Sequence, residues 1–321
     1  MQKTLITLGL LAMTSSLVQA QKQDIEQKFD AKQAISQFTY LASDELMGRD
    51  PARTEMKLAY TFIAKELESF GAKPLPGADG YYQNIPFRLS SPPMSGSMTI
   101  GSSEFTQGKN LLVLDGNSLS GEFQLVDVGF GMEEDFAGLD LKGKIAVANV
   151  GAPNRLSPSD LFSLGGEKIK RAEAAGAVAL IERFNAPSVP WQLVSNFLNR
   201  TQMTLDQGNA SKLPYIWIED LKNQMKGEQL QTANLSILGK MNRTIEGKNV
   251  LAWIEGTDAN LKNEYLLLSA HYDHVGVGTP DAQGDSIYNG ARDNAVGTVA
   301  VINAAKYFAQ NPPKRSVLIA L

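Results

Sequence analysis

A short apolar run of strand length, residues 265–270, opens directly onto His271-Tyr272-Asp273-His274 and then onto a glycine-rich loop. The run is too short for an ordinary helix, and its composition predicts a buried strand. A second polar stretch, Asn289-Gly290-Ala291-Arg292-Asp293-Asn294, then leads into an apolar pattern of helical spacing. Strand, loop and helix in that order form the repeating unit of an α/β fold, whose ligands gather at the carboxyl edge of the sheet. The chain therefore sends His271, Asp273 and Asp293 to one edge of one sheet.

Those residue types suit metal binding. A neutral imidazole and an ionised carboxylate are zinc donors, and a carboxylate can bridge two ions through its two oxygens. His271 and Asp273 stand at i and i+2, so on a regular strand they share a face. There the carboxylate can hydrogen-bond the imidazole and fix its tautomer. An isolated His-x-Asp is more often part of a polar surface loop. The second stretch, placed just before a helix, favours the metal reading.

The two stretches, His271 to Gly276 and Tyr288 to Gly297, resemble the co-catalytic zinc peptidases of metallopeptidase family twenty-eight, which includes bacterial leucyl-type aminopeptidases. The resemblance implies a mixed sheet flanked by helices and hydrolysis of N-terminal peptide bonds by water activated between two Zn2+ ions. It implies that His271 is a terminal ligand of one zinc, that Asp273 orients and polarises it, and that Asp293 bridges both ions. It also implies a cis Asp293–Asn294 peptide. Arg292 departs from the pattern, standing where many members have another Asp, at a position that is not a ligand.

Composition narrows the context. A net charge of −4 gives no reason to expect nucleic acid or an anionic membrane as partner. The chain has no cysteine, which excludes disulfides, thiolate zinc sites, a cysteine nucleophile and a lipoprotein anchor together. Residues 1–20 combine Lys3, an apolar core too short to span a bilayer, and a small-residue end at Ala20. They read as a secretory signal peptide, so the mature protein is expected in the periplasm or outside the cell, with no membrane anchor.

Along the chain, residues 21–95 are expected to begin the peptidase domain, 96–241 to form an inserted domain and 242–321 to carry the metal-site half. Ser43 or Asp44 is positioned to cap a helical turn that Gly48 stops. Residues 54–70 predict a helix with Leu58, Phe62, Ile63, Leu67 and Phe70 on its apolar side. This helix and the preceding L-A-S-D-E-L-M-G-R-D also resemble the start of the same peptidase family. Residues 90–101, rich in Ser and Gly around Pro92-Pro93, read as a linker.

From there short β-rich runs are expected at 110–114, 123–128, 144–150, 177–181 and 213–218, with one helix at 167–175. The phrases around Gly143-Lys144-Ile145-Ala146-Val147 and the helix exit at 172–181 resemble a protease-associated domain. The acidic run Glu133-Glu134-Asp135 reads as a solvated loop. The apolar segment 187–202 has no clear period and reads as packing between domains rather than a flap. After the insert, residues 248–255 predict a strand with Val250, Ala252 and Ile254 on one face. Residues 293–310 predict a helix whose buried side holds Val296, Val299, Ala300, Ile302, Ala304 and Phe308.

Residues 315–321 begin a strand on which the sequence stops. In the resembling family this strand delivers a Glu-Glu pair, followed later by an Asp and a second ligand His. The sequence has two histidines, both in one motif. His274, at i+3 on the loop, reads as a pocket-wall residue. The expectation is an incomplete copy of a secreted zinc aminopeptidase, inactive as it stands. The alternative is a non-catalytic peptide-binding module or remnant.

Overall fold

The computed structural model describes residues 29–155, 157–186, 189–206, 208, 211–220 and 232–321. The expected signal peptide lies outside the described residues. The chain divides into two compact units, one made of the residues up to Ile85 with Glu246–Leu321, the other of Pro86–Ile245.

The first unit opens on helix α1, Ala31–Leu41, capped by Asp30, whose side chain accepts from Gln33 N. A tight 3-10 turn at Asp44–Arg49 and helix α2, Met56–Ser69, follow. The buried stripe of α2 is Met56, Ala59, Ile63, Ala64 and Leu67, whereas Leu58 is exposed. Of the expected stripe, Ile63 and Leu67 are buried and Phe62 and Phe70 pack against the same core, so only Leu58 departs, while Met56, Ala59 and Ala64 join the buried side. Past α2 the chain turns at Gly71, with Ala72 N donating to Leu67 O, and enters β1, Tyr82–Ser91.

The second unit continues with β2 (Gly96–Ile100), β3 (Ser103–Thr106), β4 (Leu111–Asp115) and β5 (Leu119–Asp127). After β6 (Ile145–Asn149) come helices α3 (Pro158–Ser163) and α4 (Gly165–Ala174), then β7 (Ala179–Phe184). Helix α5 (Trp191–Leu198), β8 (Gln202–Leu205), β9 (Tyr215–Glu219) and β10 (Thr232–Ile237) complete it. Among the described residues eight of these strands form one sheet, in the order β3-β2-β10-β5-β6-β7-β9-β4. Its centre, β5-β6-β7-β9, is parallel. That explains the apolar runs 145–148 and 179–181, covered on both faces by separate apolar clusters.

One expectation fails here and a second holds in part. Residues 90–101 are not a linker: Pro92-Pro93 only separates β1 from β2, whose Met98 and Ile100 alternate into the core. The acidic run is solvated at Glu133 and Glu134 as expected, but it forms a 3-10 turn rather than a loop, and Asp135 accepts backbone N–H groups from Phe130 and Met132 at 3.0 and 2.9 Å. In the apolar segment near residue 190, Trp191 and Val194 pack within this unit, and Trp191 Nε1 donates to Lys109 O at 2.6 Å.

The chain returns to the first unit along β11, Met241–Ile254, whose Val250, Ala252 and Ile254 are buried as the alternation predicts. Strand β12, Tyr265–Ser269, and β13, Ser316–Ala320, run parallel, and β13 pairs antiparallel with β11 on its other side. Helix α6, Val296–Gln310, connects β12 to β13, giving the βαβ unit expected of an α/β fold. Contrary to the buried strand expected, Tyr265, Leu266 and Leu267 are exposed, since among the described residues β12 pairs only with β13. The buried side of α6 is Thr298, Val299, Ile302 and Ala305. Val296 and Ala300 instead face an apolar groove of about 620 Å³ shared with α1. No described helix is long and apolar enough to cross a membrane.

Candidate metal centre

The chain leaves the carboxyl end of β12 at Ala270, whose N–H donates to Ala320 O at 3.3 Å, and reaches His271 at the next residue. Asp293 arrives from the other side, on a single wide turn at Ala291–Ala295 that precedes α6. Asn294 Oδ1 accepts from Gly297 N at 3.0 Å and starts that helix. Thr298 Oγ1, one turn on, donates to both His271 O and Asn294 O, at 3.1 and 3.0 Å, and ties the two segments together. The Asp293–Asn294 peptide is cis, as the resemblance implies.

The three residues picked from the sequence meet. His271 Nδ1 lies 3.2 Å from Asp273 Oδ1, and His271 Nε2 lies 3.1 Å from Asp293 Oδ1. An ionised carboxylate only accepts, so each ring nitrogen faces an acceptor; with the proton on Nδ1 toward Asp273, the Nε2 lone pair would be presented to an ion lying between it and Asp293. The side chains are 54%, 45% and 71% exposed for His271, Asp273 and Asp293, so solvent and a ligand reach them. His274 does not join this group. Its backbone N–H donates to Arg49 O at 3.0 Å, and its ring lies against Gly290. Arg292 is exposed beside the site.

Tyr272 points the opposite way. It is buried, and its hydroxyl donates to Lys248 O at 2.6 Å. Burial, then the neighbouring Asp273 charge, pushes its pKa well up, so it stays a neutral donor anchoring the His271 loop to β11.

The residue that sequence reasoning missed is Arg49. Its side chain is fully buried and donates to four backbone carbonyls: Tyr272 and Asn289 at 2.6 Å each, Gly290 at 2.8 Å, and Leu41. Burial lowers its pKa, while the charges of Asp273 and then Asp293 raise it. Gly48, at φ 68°, precedes it, and a Cβ there would stand 2.5 Å from Gly276 O. The signal was present in the phrase L-A-S-D-E-L-M-G-R-D, but a lone Arg in such a phrase looks like any solvated side chain.

The donors fit zinc in kind. Imidazole Nε2 and carboxylate Oδ1 converge within a distance that one ion spans, and the imidazole is held from behind by a carboxylate. They fall short in number. Among the described residues no three His, Cys, Asp or Glu side chains converge as a cage. Replacing Asp273 by Asn would let the amide present its N–H₂ to Nδ1 and favour the wrong tautomer. Zinc affinity should then drop by roughly 10–100-fold, the usual loss for a ligand's supporting carboxylate. Competition against a chromophoric chelator measures this, and an unchanged affinity would remove Asp273 from the site.

The α/β unit thus brings a His–Asp–Asp cluster to the carboxyl edge of its sheet. Residues 249–321, which hold that cluster, match the family model described as Peptidase family M28. Over 74 residues the chain is 36% identical to the vacuolar membrane protease of Schizosaccharomyces pombe and 32% identical to that of Schizosaccharomyces japonicus. Each alignment covers 23% of this chain and 7% of the relative. The fold is similar to that of the aminopeptidase from Aneurinibacillus sp. strain AM-1, with a TM-score of 0.57 at 21% identity, over 92% of this chain and 63% of that one. The chain thus spans less than two thirds of that structure's length and a small part of the two proteases.

Proposed function

We propose that this chain is the zinc-dependent, aminopeptidase-type part of an exported metallopeptidase, hydrolysing N-terminal peptide bonds. The observation that carries the reading is the convergence of His271 Nε2 and Asp293 Oδ1, 3.1 Å apart, with Asp273 behind the imidazole. His271 and Asp293 would hold a zinc ion, and the other oxygen of Asp293 would remain available to hold a second. Zinc bound there supplies Lewis acidity, lowering the pKa of a coordinated water and polarising a scissile carbonyl.

The chain's own residues supply orientation and access. Asp273 keeps the Nδ1 proton in place, and Thr298 fixes the backbone on both sides. The exposure of Asp293 leaves room for an extended peptide to reach the cluster. Residues 96–241, within the second unit, read as an inserted protease-associated domain. Residues 1–20 direct export, which places the substrate peptides in the periplasm or outside the cell.

The test is hydrolysis of leucine p-nitroanilide by the protein as its host makes it, before and after chelation and after zinc is restored. Loss on chelation and recovery with zinc is the expected result, and hydrolysis indifferent to chelation contradicts the metal mechanism. One observation favours a second reading, a peptide-binding module without catalysis: no third metal-ligand side chain joins His271 and Asp293 among the described residues. Peptide binding with no zinc uptake and no hydrolysis is the outcome that selects it.

A further inference from the structure

Three separate loops meet on one guanidinium. Tyr272, whose carbonyl accepts from Arg49 Nε, sits between His271 and Asp273. Asn289 and Gly290, whose carbonyls accept from Nη1 and Nη2, lead directly into the turn that carries Asp293. Leu41, at the end of α1, supplies the fourth acceptor. The backbone of the same segment works in the opposite sense: Gly48 O accepts from Gly276 N at 3.1 Å and Arg49 O from His274 N at 3.0 Å. Met47, Gly48 and Arg49 all hold positive φ, at 46°, 68° and 51°. For two non-glycine residues that conformation is strained and persists only where surrounding contacts enforce it.

No carboxylate oxygen is bonded to this buried cation among the described residues; its hydrogen-bond partners are all carbonyls. An arginine whose purpose was a salt bridge would pair with a carboxylate in a fork. Here the fork geometry spreads its donors over several strands of backbone. Lysine, with three donors on a single nitrogen, cannot span the same acceptors. At Gly290 a side chain would strike the guanidinium, since an added Cβ would stand 2.5 Å from Nη2. The Asn289-Gly290 turn and Arg49 are therefore matched in shape.

We propose that Arg49 is the positioning residue of the metal centre: by bonding the backbone beside His271 and the backbone before Asp293 at once, it sets their separation before any ion arrives. The proposal rests on the zinc reading of the site. Without Arg49 the two loops keep Thr298 on the α6 side and the bond from Tyr288 N to Gly276 O at 2.9 Å further out, but lose the bonds to the Tyr272, Asn289 and Gly290 carbonyls between them. The donor atoms are then correct in kind and wrong in spacing, and part of the ion's binding energy goes into assembling them.

The test uses the full chain, with Arg49→Ala and Arg49→Lys beside the parent. Zinc affinity is read by competition with a chromophoric chelator. Amide hydrogen exchange is read on the metal-free proteins. Both variants should bind zinc roughly 10–100-fold more weakly, as for loss of a supporting contact at a metal site. Exchange should quicken at residues 272–276 and 289–293 together, with α2 and β11 unchanged. A few millimolar guanidinium should restore part of the zinc affinity of Arg49→Ala and none of that of Arg49→Lys, whose side chain occupies the space. If Arg49→Ala fails to fold, Arg49→Lys carries the measurement. Parental zinc affinity in a folded variant overturns this proposal and leaves the zinc reading standing. Absence of zinc binding by the parent chain overturns the zinc reading, and the proposal with it.

Discussion

Replacing His271 by Ala is expected to abolish tight zinc binding, with an affinity loss greater than about 100-fold. Loss of an outer contact at a zinc site already costs 10–100-fold, and His271 is a direct donor. Its Nε2 is one of the two donor atoms that converge at the end of β12, 3.1 Å from Asp293 Oδ1. Without it Asp293 faces solvent alone, and Asp273 loses the ring it orients. His274 cannot substitute, because its ring is held against Gly290 and its backbone is bonded to Arg49. Folding should be almost unaffected, since the His271 side chain is more than half exposed. Calorimetric titration with zinc chloride decides the matter. An alanine variant that binds within a factor of about three of the parent would move the metal elsewhere.

The second large effect lies in the other unit and concerns folding. Lys168 and Glu182 form an ion pair with both side chains 1% exposed. Lys168 Nζ also donates to Asn149 O at 2.8 Å, while the other carboxylate oxygen of Glu182 accepts from the Tyr215 hydroxyl and from Trp217 Nε1. Burial, and then the Glu182 charge, holds the Tyr215 hydroxyl protonated, so it remains a donor to Glu182. Removing the cation alone strands a carboxylate in the core.

The Lys168→Met variant should therefore lose about 3–5 kcal/mol, the usual cost of breaking one side of a buried pair. The double variant Lys168→Met with Glu182→Gln keeps an acceptor for Tyr215 and Trp217 and discards the charge, and should lose less. Urea denaturation of both variants measures the difference. A single variant within about 1 kcal/mol of the parent, or a double variant worse than the single, would show that the pair is not what holds this cluster together.

These two sites differ in how legible they are from residue order alone. His271, Asp273 and Asp293 stand out because their residue types are rare together and because a strand, a loop and a helix bracket them. Arg49 does not. Its partners at the site are carbonyls of residues more than two hundred positions away, and backbone acceptors leave no mark in a sequence. Lys168 is hidden for a related reason: on a ten-residue helix it reads as a solvated charge until β7 brings Glu182 beneath it.

Local pattern served the strands well where burial is two-sided, as in Ile145–Asn149 and Ala179–Phe184. It failed where composition and alternation disagreed. Gly96–Ile100 is rich in Ser and Gly, yet its alternate residues enter the core as β2. It also misjudged β12, because an apolar run predicts burial while exposure depends on which strands flank it. The stripe of α2 was legible at Phe62, Ile63, Leu67 and Phe70 but missed Ala59 and Ala64, since alanine carries little weight in an apolar pattern yet permits close approach.

The most direct measurement is anomalous diffraction at the zinc edge from crystals of the protein grown with zinc chloride. The account predicts a peak about 2.0–2.2 Å from both His271 Nε2 and an oxygen of Asp293, with Asp273 still on Nδ1. A peak elsewhere on the chain, or none at a zinc concentration that saturates the parent in solution, would contradict it.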